Sequence, residues 1–470
     1  MEDVSKNIKK VLIVFLLCFI ALISYIANFV VFKSPKMVKS QYNSRLWIIR
    51  NEVLRGTIYD RNMAVLTKSS RNTDNTQKRE YNGAEMFAHI LGYEDIHYGI
   101  TGLEKKYDSE LMYSPPQIAL PFLKNDKMEK KVGENVKTTL DFNLQKLAYN
   151  ALGDNKGAVV VTNPRTGEIL AMVSKPSYNP NNLKDIWANL NSDKNTPLLN
   201  RATSGLYPPG STFKTITAVS ALENISNIMT RRIDDNGSIY FNSTYSLNNF
   251  GGEVLGNIGI KQAYTYSSNV FFGTIGMELG NAKLKATAEK FYFNKNIPVD
   301  GISVENSRFP QLKSYEKGNI AQSAIGQSQV LATPMEMNVI ASTIANDGIM
   351  MKPFLVSQVL SAKGDSVRKI SPQSAGTIIS KDNAKTMKDF MRSVVENGTG
   401  TAANIDGLNV CGKTGTADNA EGKSPHAWFI GFAPYDNPQV AVSVIVENGG
   451  QGGIVAAGIA SQVISAALKK

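Results

Sequence analysis

A long apolar stretch near the first residues of the chain predicts its relation to a membrane. Val11 to Phe32 is almost wholly apolar, interrupted only by Ser24, Tyr25 and Asn28. As a helix rising about 1.5 Å per residue it would span roughly 33 Å, enough to cross a bilayer. A cleaved signal peptide would have a shorter apolar core and a small-residue cleavage site. We therefore predict a retained transmembrane anchor over residues 11–32, with a buried core helix as the alternative.

After the anchor the pattern becomes that of two folded units. Residues 33–132 form a predicted small mixed module, in which Arg55 to Asn62 alternates like a strand entering a turn. Residues 67–81 are rich in polar side chains and are expected to form an exposed loop. A larger unit begins near Val136, so the predicted boundary lies between residues 132 and 133.

The larger unit, residues 133–470, mixes helical and strand periodicities. Apolar residues spaced three and four apart predict a helix from Asp141 to Leu152. Further elements with clear apolar patterns are a hairpin of Gly157–Thr162 and Glu168–Val173, strands Ala427–Phe432 and Gln439–Glu447, and a final helix from about Ile454. The unit is therefore predicted to be α+β.

Composition and charge narrow the possible partners. The 470 residues carry a net charge of +11, with 42% hydrophobic and 19% charged residues, which is a globular balance. The basic residues form no dense block interleaved with aromatic residues, which argues against a nucleic-acid-binding groove. Two cysteines and three scattered histidines make neither a disulfide framework nor a tetrahedral metal site. We therefore predict no nucleic-acid partner, no metal and no cofactor.

A serine followed three residues later by a lysine is the first candidate for catalysis. The pair occurs at Ser211/Lys214, and also from Ser314 and Ser366 in polar stretches without a following apolar helix. Prolines and a glycine precede Ser211 and an apolar helical run follows, so Ser211 and Lys214 are expected on one helix face. A hydroxyl beside a lysine with a lowered pKa suits a nucleophile and its base. The alternative role of Ser211 is that of a helix N-cap.

Two shorter motifs could complete such a site. Because residues two apart do not share a helix face, Ser267 and Asn269 of Ser267-Ser268-Asn269 must lie on a turn between helices to act together. Lys413-Thr414-Gly415 follows a predicted strand from Leu408 to Cys411. Its lysine can hold a substrate carboxylate, and its glycine lets a substrate backbone approach closely.

Residues 407–414 also match the P-loop pattern Gly-x-x-x-x-Gly-Lys-Thr. A P-loop is a turn between a strand and a helix. Here the inner residues are strand-like, and Thr416 to Ser424 is polar and turn-rich without a helical period. The sequence therefore argues against nucleotide binding at this segment.

The three motifs, in this order and separation, resemble those of the penicillin-binding transpeptidases. The Arg55 to Arg61 stretch resembles the non-catalytic pedestal of class B members of that family. Other stretches similar to the family are Leu199–Ala202, Tyr207–Ser211, Gly326-Gln327, Ala332–Pro334, Asn397–Thr401 and His426–Phe429. With an anchor and a small pedestal, the chain resembles a short class B penicillin-binding protein. The predicted pedestal leaves no room for the glycosyltransferase domain that class A members carry.

The resemblance implies an architecture. Residues 133–470 would form a transpeptidase domain with the fold of penicillin-binding proteins and serine β-lactamases, an antiparallel sheet flanked by helices. A small α+β pedestal over 33–132 would precede it, after an anchor over 11–32 and a cytoplasmic tail over 1–10. Lysines flank the apolar stretch on both sides, so charge does not decide its orientation. The extracytoplasmic placement of the catalytic domain rests on the resemblance.

The resemblance also implies catalytic roles. Ser211 would attack the carbonyl of a D-Ala-D-Ala stem end, with Lys214 as general base. Ser267 would relay the proton to the departing D-Ala. Backbone N–H groups of Ser211 and Thr416 would form the oxyanion hole. An amine from a neighbouring stem would then take the acyl group and complete the crosslink.

Substrate-binding roles follow from the same resemblance. Asn269 would hold the substrate amide, and the segment Lys413-Thr414-Gly415-Thr416 would bind the substrate. Lys413 would bind the terminal carboxylate and help to keep Lys214 neutral. Strand alternation does not place Lys413 and Thr414 on one face, so the sequence leaves open which threonine hydroxyl points inward.

The implied partners are peptidoglycan stem peptides and their lipid-linked precursor, β-lactam antibiotics and a SEDS-type glycosyltransferase. Alternative functions stay open at the level of the sequence. A serine β-lactamase would share the three motifs, but it would normally be a shorter single domain with a deacylating base, for which no candidate is present. A carboxypeptidase that transfers to water, a β-lactam sensor or an idle scaffold would also carry these motifs.

Overall fold

The computed structural model describes residues 2–29, 50, 52–74, 76–113, 131–419 and 422–469. The predicted end of the anchor at residues 30–32 and parts of the predicted pedestal, residues 33–49 and 114–130, lie outside the described residues.

The described strands and helices follow one another along the chain as mixed α and β elements. The strands are β1 Ile58–Tyr59, β2 Val65–Arg71, β3 Gln77–Tyr81, β4 Glu94–Asp95, β5 Gly99–Ile100, β6 Asn135–Thr138, β7 Gly157–Thr162, β8 Ile169–Lys175, β9 Arg232–Asp235, β10 Ser238–Tyr240, β11 Ser246–Asn248, β12 Gly256–Gly259, β13 Ile349–Met351, β14 Val356–Leu360, β15 Ser366–Lys369, β16 Ser374–Thr377, β17 Cys411–Ala417, β18 His426–Ala433 and β19 Val440–Val446. The helices are α1 Glu2–Asn28, α2 Ala88–Leu91, α3 Gly102–Lys106, α4 Asp108–Leu111, α5 Phe142–Ala151, α6 Leu183–Ser192, α7 Arg201–Ser204, α8 Lys214–Asn224, α9 Ile260–Thr265, α10 Asn269–Lys290, α11 Lys317–Ala324, α12 Pro334–Ala345, α13 Lys381–Asn397 and α14 Val455–Leu468. Helix α10 kinks at Gly280, where φ is +72°.

Helix α1 contains the predicted anchor. It begins at Glu2, before the apolar stretch, because the lysines and glutamate that precede Val11 are good helix formers. Among the described residues, Lys6–Asn28 is the one helix long and apolar enough to span a bilayer, with a mean hydropathy of 2.7. Its described side chains are exposed along their length, as expected of a segment that lies in lipid.

A five-stranded antiparallel sheet forms the centre of the larger unit, in the order β17-β18-β19-β7-β8. The predicted hairpin is confirmed as β7 and β8, and the two later strands as β18 and β19. The predicted helix is confirmed as α5, whose first turn is capped by the Asp141 carboxylate through the N–H groups of Asn143 and Leu144.

Helices cover both faces of this sheet because its strands bury side chains on both faces. On one face, α5 and α14 pack against Val159 and Val161. On the other face, α12 packs against the sheet, and Val160 shares an apolar cluster with Ile216 of α8 and Phe272 of α10. The predicted architecture of an antiparallel sheet flanked by helices is confirmed.

A second, six-stranded sheet has the order β15-β14-β6-β1-β2-β3, with β1 and β6 parallel and the other pairs antiparallel. It takes β1–β3 from the smaller predicted unit and β6, β14 and β15 from the larger one. Hydrogen bonds between strands therefore join the two predicted units within one sheet.

The prediction of an exposed loop over residues 67–81 is wrong. Most of this segment forms the antiparallel hairpin of β2 and β3. Its inward positions carry polar groups that find partners: the Arg79 guanidinium donates to the Glu104 carboxylate at 2.8 Å and to the Gly56 carbonyl at 2.7 Å. Because these partners are distant in sequence, the segment lacks the apolar alternation that would have revealed the strands.

Candidate active site

Ser211 lies in a short 3-10 turn, Gly210–Phe213, that leads into α8 at Lys214. Gly210 has a φ of +53°, and a Cβ atom there would lie 2.9 Å from the Thr416 carbonyl oxygen. The glycine thus lets the turn approach β17 closely. Pro209 is the N-cap of this turn and Phe213 is the N-cap of α8, so the helix-cap role for Ser211 is wrong. The Ser211 side chain is half-buried at a cleft.

Lys214 is fully buried, and its Nζ donates to three oxygens of the Ser267–Asn269 segment. The acceptors are the Ser267 carbonyl at 2.6 Å, Ser267 Oγ at 3.1 Å and Asn269 Oδ1 at 2.6 Å. Burial, and then the nearby Lys413 ammonium, hold the pKa of Lys214 well below its ordinary value, while the Asp235 carboxylate acts in the opposite direction. This lowered pKa favours the neutral amine that a general base requires.

The Ser267-Ser268-Asn269 motif occupies the turn between α9 and α10. Ser267 has a left-handed φ of +62°, which a residue other than glycine adopts only when its surroundings hold it there. Ser268 is the N-cap of α10, and its hydroxyl accepts the N–H of Phe271 at 2.8 Å. Ser267 Oγ lies between the two buried lysines, 3.1 Å from Lys214 Nζ and 2.9 Å from Lys413 Nζ.

The strand predicted at Leu408–Cys411 in fact runs from Cys411 to Ala417, so the whole Lys413–Thr416 segment lies within β17. The earlier residues turn instead, with Gly407 and Asn409 at positive φ. The P-loop geometry is absent from this described segment, because Lys413 and Thr414 lie in mid-strand. Burial lowers the pKa of Lys413 to about 7.

Both threonines of the segment line the cleft. The Thr414 hydroxyl is 2.6 Å from that of Thr399, and Thr416 Oγ1 accepts the N–H of Gly452 at 3.4 Å. Gly415 faces away, toward the turn before Ser211, and a Cβ there would lie 3.0 Å from the Pro209 carbonyl oxygen. The alternation of β17 thus places Thr414 and Thr416 on the substrate side.

The cleft has a volume of about 690 Å³. The sequence-predicted residues that line it are Ser211, Ser267, Asn269, Thr414 and Thr416. Lys214 and Lys413 lie beneath them and reach Ser267. No described residue makes a hydrogen bond to Ser211 Oγ, so the Ser211 hydroxyl is free to take a substrate.

Three residues at the site escaped the sequence reasoning. Thr399 contacts Thr414 and belongs to a stretch that resembled the family without an assigned role. Asp235 accepts the Ser268 hydroxyl and Asn249 Oδ1 accepts the N–H of Asn269, so both contact the Ser267–Asn269 turn. They lie in a polar stretch between α8 and α9 with no motif of their own, so only the contacts identify them.

Comparison with known protein families identifies two regions. Residues 157–465 match the penicillin-binding protein transpeptidase domain. Residues 55–136 match the penicillin-binding protein A dimerisation domain. The peptidoglycan D,D-transpeptidase PbpA of Mycolicibacterium smegmatis is 35% identical over 421 residues, which cover 83% of this chain and 84% of that protein. The peptidoglycan D,D-transpeptidase MrdA of Escherichia coli is 32% identical over 409 residues, which cover 77% of this chain and 61% of that protein.

Solved structures resemble this fold closely. The ceftriaxone acyl-enzyme complex of penicillin-binding protein A from Mycobacterium tuberculosis superposes with a TM-score of 0.82 at 30% identity, covering 89% of this chain and 99% of that one. The D,D-transpeptidase domain of a peptidoglycan glycosyltransferase from Eggerthella lenta gives a TM-score of 0.80 at 34% identity, with the same coverage.

The fold and the site together define a serine acyl-transferase. The chain belongs to the penicillin-binding protein transpeptidase family. The predicted resemblance, the α+β fold class and the activity of a serine-type peptidoglycan D,D-transpeptidase are confirmed.

Proposed function

We propose that Ser211 carries the acyl group in this chain's transpeptidation. The observation that carries the proposal is the buried Lys214, whose Nζ is held by Ser267 and Asn269. It lies one helical turn from the Ser211 hydroxyl, which makes no hydrogen bond to a described residue. Neutral Lys214 takes the Ser211 proton as Oγ attacks the carbonyl of the penultimate D-Ala of a D-Ala-D-Ala end. The terminal D-Ala leaves as its nitrogen takes a proton through Ser267 Oγ. The amine of a second stem then attacks the ester and releases Ser211.

The substrate is positioned by the cleft residues in this proposal. Asn269 binds the stem amide, and Lys413, with the Thr414 and Thr416 hydroxyls, holds the terminal carboxylate. The N–H groups of Ser211 and Thr416 bind the oxyanion, a contribution of about 3 kcal/mol in comparable enzymes. The close approach of Gly210 to the Thr416 backbone supports this pairing of donors.

The placement of the chain in the cell is part of the same proposal. Residues 1–10 lie in the cytoplasm, 11–32 cross the membrane, and the pedestal over 33–132 and the transpeptidase domain over 133–470 lie outside the cytoplasm. The apolar helix Lys6–Asn28, which among the described residues is long enough to span a bilayer, and the two family matches support this division. A SEDS-type glycosyltransferase is the proposed partner, and it would contact the anchor and pedestal. Lipid-linked precursor and β-lactams are the proposed ligands of the cleft.

The test follows covalent labelling by intact mass. The full chain in detergent is incubated with benzylpenicillin beside Ser211→Ala and Ser314→Ala; Ser314 is the exposed serine of another Ser-x-x-Lys pair and serves as the matched control. We expect a slowly hydrolysed adduct in the wild type and in Ser314→Ala, and none in Ser211→Ala. Absence of any adduct would refute the proposal, and rapid adduct turnover would favour a β-lactamase. Crosslinked product from lipid-linked substrate, rather than release of D-Ala alone, separates a transpeptidase from a carboxypeptidase.

A further inference from the structure

Behind the Ser267–Asn269 turn lies a buried carboxylate that the proposed reaction does not use. Asp235, at the end of β9, is 0% exposed. Its Oδ1 accepts the Gly237 N–H at 2.9 Å, Asn249 Nδ2 lies 2.7 and 2.9 Å from its two oxygens, and Oδ2 accepts the Ser268 hydroxyl at 2.5 Å. All of these groups donate to Asp235, and none of them is a cation. Burying a carboxylate whose partners are all neutral is costly, which suggests that Asp235 has a role beyond packing.

Two hydrogen-bonded paths lead from Asp235 to the start of α10. Ser268, which donates to Asp235, caps the helix through the Phe271 N–H. Asn249, whose amide is fixed by Asp235, turns its Oδ1 to the N–H groups of Asn269 at 2.7 Å and Val270 at 3.1 Å. Asp235 thereby secures both the N-cap and the first free N–H groups of α10.

The same turn carries the acceptors of Lys214. The Ser267 carbonyl and Asn269 Oδ1, each 2.6 Å from Lys214 Nζ, are fixed in space only while Ser267 keeps its left-handed conformation. Such a conformation is strained for a residue other than glycine and persists where neighbouring contacts enforce it. The paths through Ser268 and Asn249 are those contacts.

We propose that Asp235 is a positioning residue for acylation: its buried carboxylate, acting through Ser268 and Asn249, holds the Ser267–Asn269 turn against Lys214. The proposal rests on the proposed function, in which neutral Lys214 activates Ser211. Asp235 touches no substrate and acts only through these neighbours and through its charge.

The charge of Asp235 should affect the pH dependence of acylation, which a packing contact alone would not. The groups facing Lys214 are Lys413 from β17, Asp235 from β9, the ring of Phe272 from α10 and the polar atoms of Ser267 and Asn269. The titratable Tyr264 of α9 lies under Lys413, with Lys413 Nζ 5.6 Å from the ring centroid. Asp235 is the one negative charge acting on Lys214 in the described chain, and it raises the pKa of that lysine against burial and Lys413.

The experiment measures the second-order rate of acylation by a fluorescent penicillin as a function of pH, using the full chain in detergent. The variants are Asp235→Asn and, as the matched control, Asp234→Asn, whose exposed side chain faces away from the turn and contacts Asn257. For Asp235→Asn we expect the maximal rate to fall about tenfold, because buried hydrogen bonds to a charged acceptor are lost. We expect the acid limb of its profile to move down by about half a pH unit or more, because a positive lysine loses its nearby negative charge. Asp234→Asn should match the wild type in both respects.

A purely structural role would lower the rate without moving the acid limb downward, and that result would overturn the proposal. So would a profile for Asp235→Asn that matches the wild type. If Asp235→Asn does not fold, Ser268→Ala replaces it: it keeps the charge but cuts one path, so the rate should fall with the acid limb unmoved, and an unchanged rate would refute the proposal. Wild-type protein that forms no adduct would refute the proposed function itself, whereas acylated wild type beside an unaltered Asp235→Asn would refute only the positioning role.

Discussion

At the scale of single residues, two buried lysines beside one serine define the chemistry. Lys214 and Lys413 are both fully buried, and Ser267 Oγ lies within hydrogen-bonding distance of both. Burial lowers the pKa of each ammonium, and the charge of Lys413 further lowers that of Lys214. Burying the two ammonium groups costs stability and favours the neutral form of each, and such shifted pKa values are common in catalytic sites.

The lowered pKa of Lys413 should make the free energy of unfolding depend on pH. Burial lowers its pKa to about 7 in the folded protein, from about 10.5 for a solvent-exposed lysine. Between these values the unfolded chain holds a proton that the folded protein lacks, so this residue's contribution makes the protein more stable as pH rises through that window. Lys413→Met should therefore be more stable than the wild type at about pH 6, and the difference should shrink by up to about 1.4 kcal/mol per pH unit above pH 7. Urea denaturation at several pH values measures it.

The control for this prediction is Lys317→Met, at an exposed position. Its stability difference from the wild type should stay flat over the same window. A Lys413→Met difference that is equally flat would show that Lys413 keeps its proton in the folded state.

At the scale of elements, the site depends on a close approach between two backbone segments, which the absence of a side chain at Gly326 allows. Gly326 follows α11 with a φ of +76°, and its carbonyl accepts the Gly210 N–H at 3.0 Å, next to the turn that carries Ser211. A Cβ at Gly326 would lie 2.3 Å from the Gly210 carbonyl oxygen. The oxygen belongs to the backbone and not to a flexible side chain, so the turn that carries Ser211 would have to move.

Gly326→Ala is therefore expected to slow β-lactam acylation by more than about tenfold, because a small displacement of a nucleophile carries a large penalty in rate. Stopped-flow acylation and thermal unfolding measure the two consequences. Gly364→Ala is the matched control: Gly364 also has a positive φ, +96°, but its Cβ would meet nothing within 4 Å. It should lose about 1 kcal/mol of stability through backbone strain and keep its acylation rate. Equal rates for the two variants would contradict the steric argument.

At the scale of the whole molecule, the smaller unit is held by a buried ion network remote from the cleft. Arg55 Nε donates to Glu104 at 2.7 Å and its Nη1 donates to Asp108 at 2.6 Å, while Arg79 pairs with the other oxygen of Glu104. Arg55 and Glu104 are fully buried. Removing one partner of such a network leaves a buried charge less compensated.

Arg55→Met should destabilise this region by about 3 kcal/mol, seen as faster hydrogen exchange in β2 and β3. Because Ser211 lies beside the other sheet, the rate of β-lactam acylation should stay within about twofold of the wild type, as expected for distant, independent sites. Lys78→Met, which removes an exposed ion pair with Glu80, should change neither quantity. Loss of acylation in Arg55→Met would mean that the six-stranded sheet couples the two units.

The sequence alone determined the features whose causes are local. The apolar run from Val11 to Phe32 predicts a membrane-spanning helix by its length, and uninterrupted apolar strands predict the central sheet, because both signals lie within one segment. The motifs at Ser211, Ser267 and Lys413 predict the reaction only together, because their order and separation resemble those of the penicillin-binding transpeptidases.

Tertiary structure decided what depends on partners far along the chain. The hairpin over residues 65–81 forms because Arg79 meets Glu104, and the strand of Lys413 starts at Cys411 because it pairs with Phe432 of β18. The role inferred for Asp235 arises from its contact with Ser268 across 33 residues. In the sequence these side chains show only that they are polar. Their partners are set by folding, because a polar group that becomes buried must form a hydrogen bond to avoid a large cost in free energy.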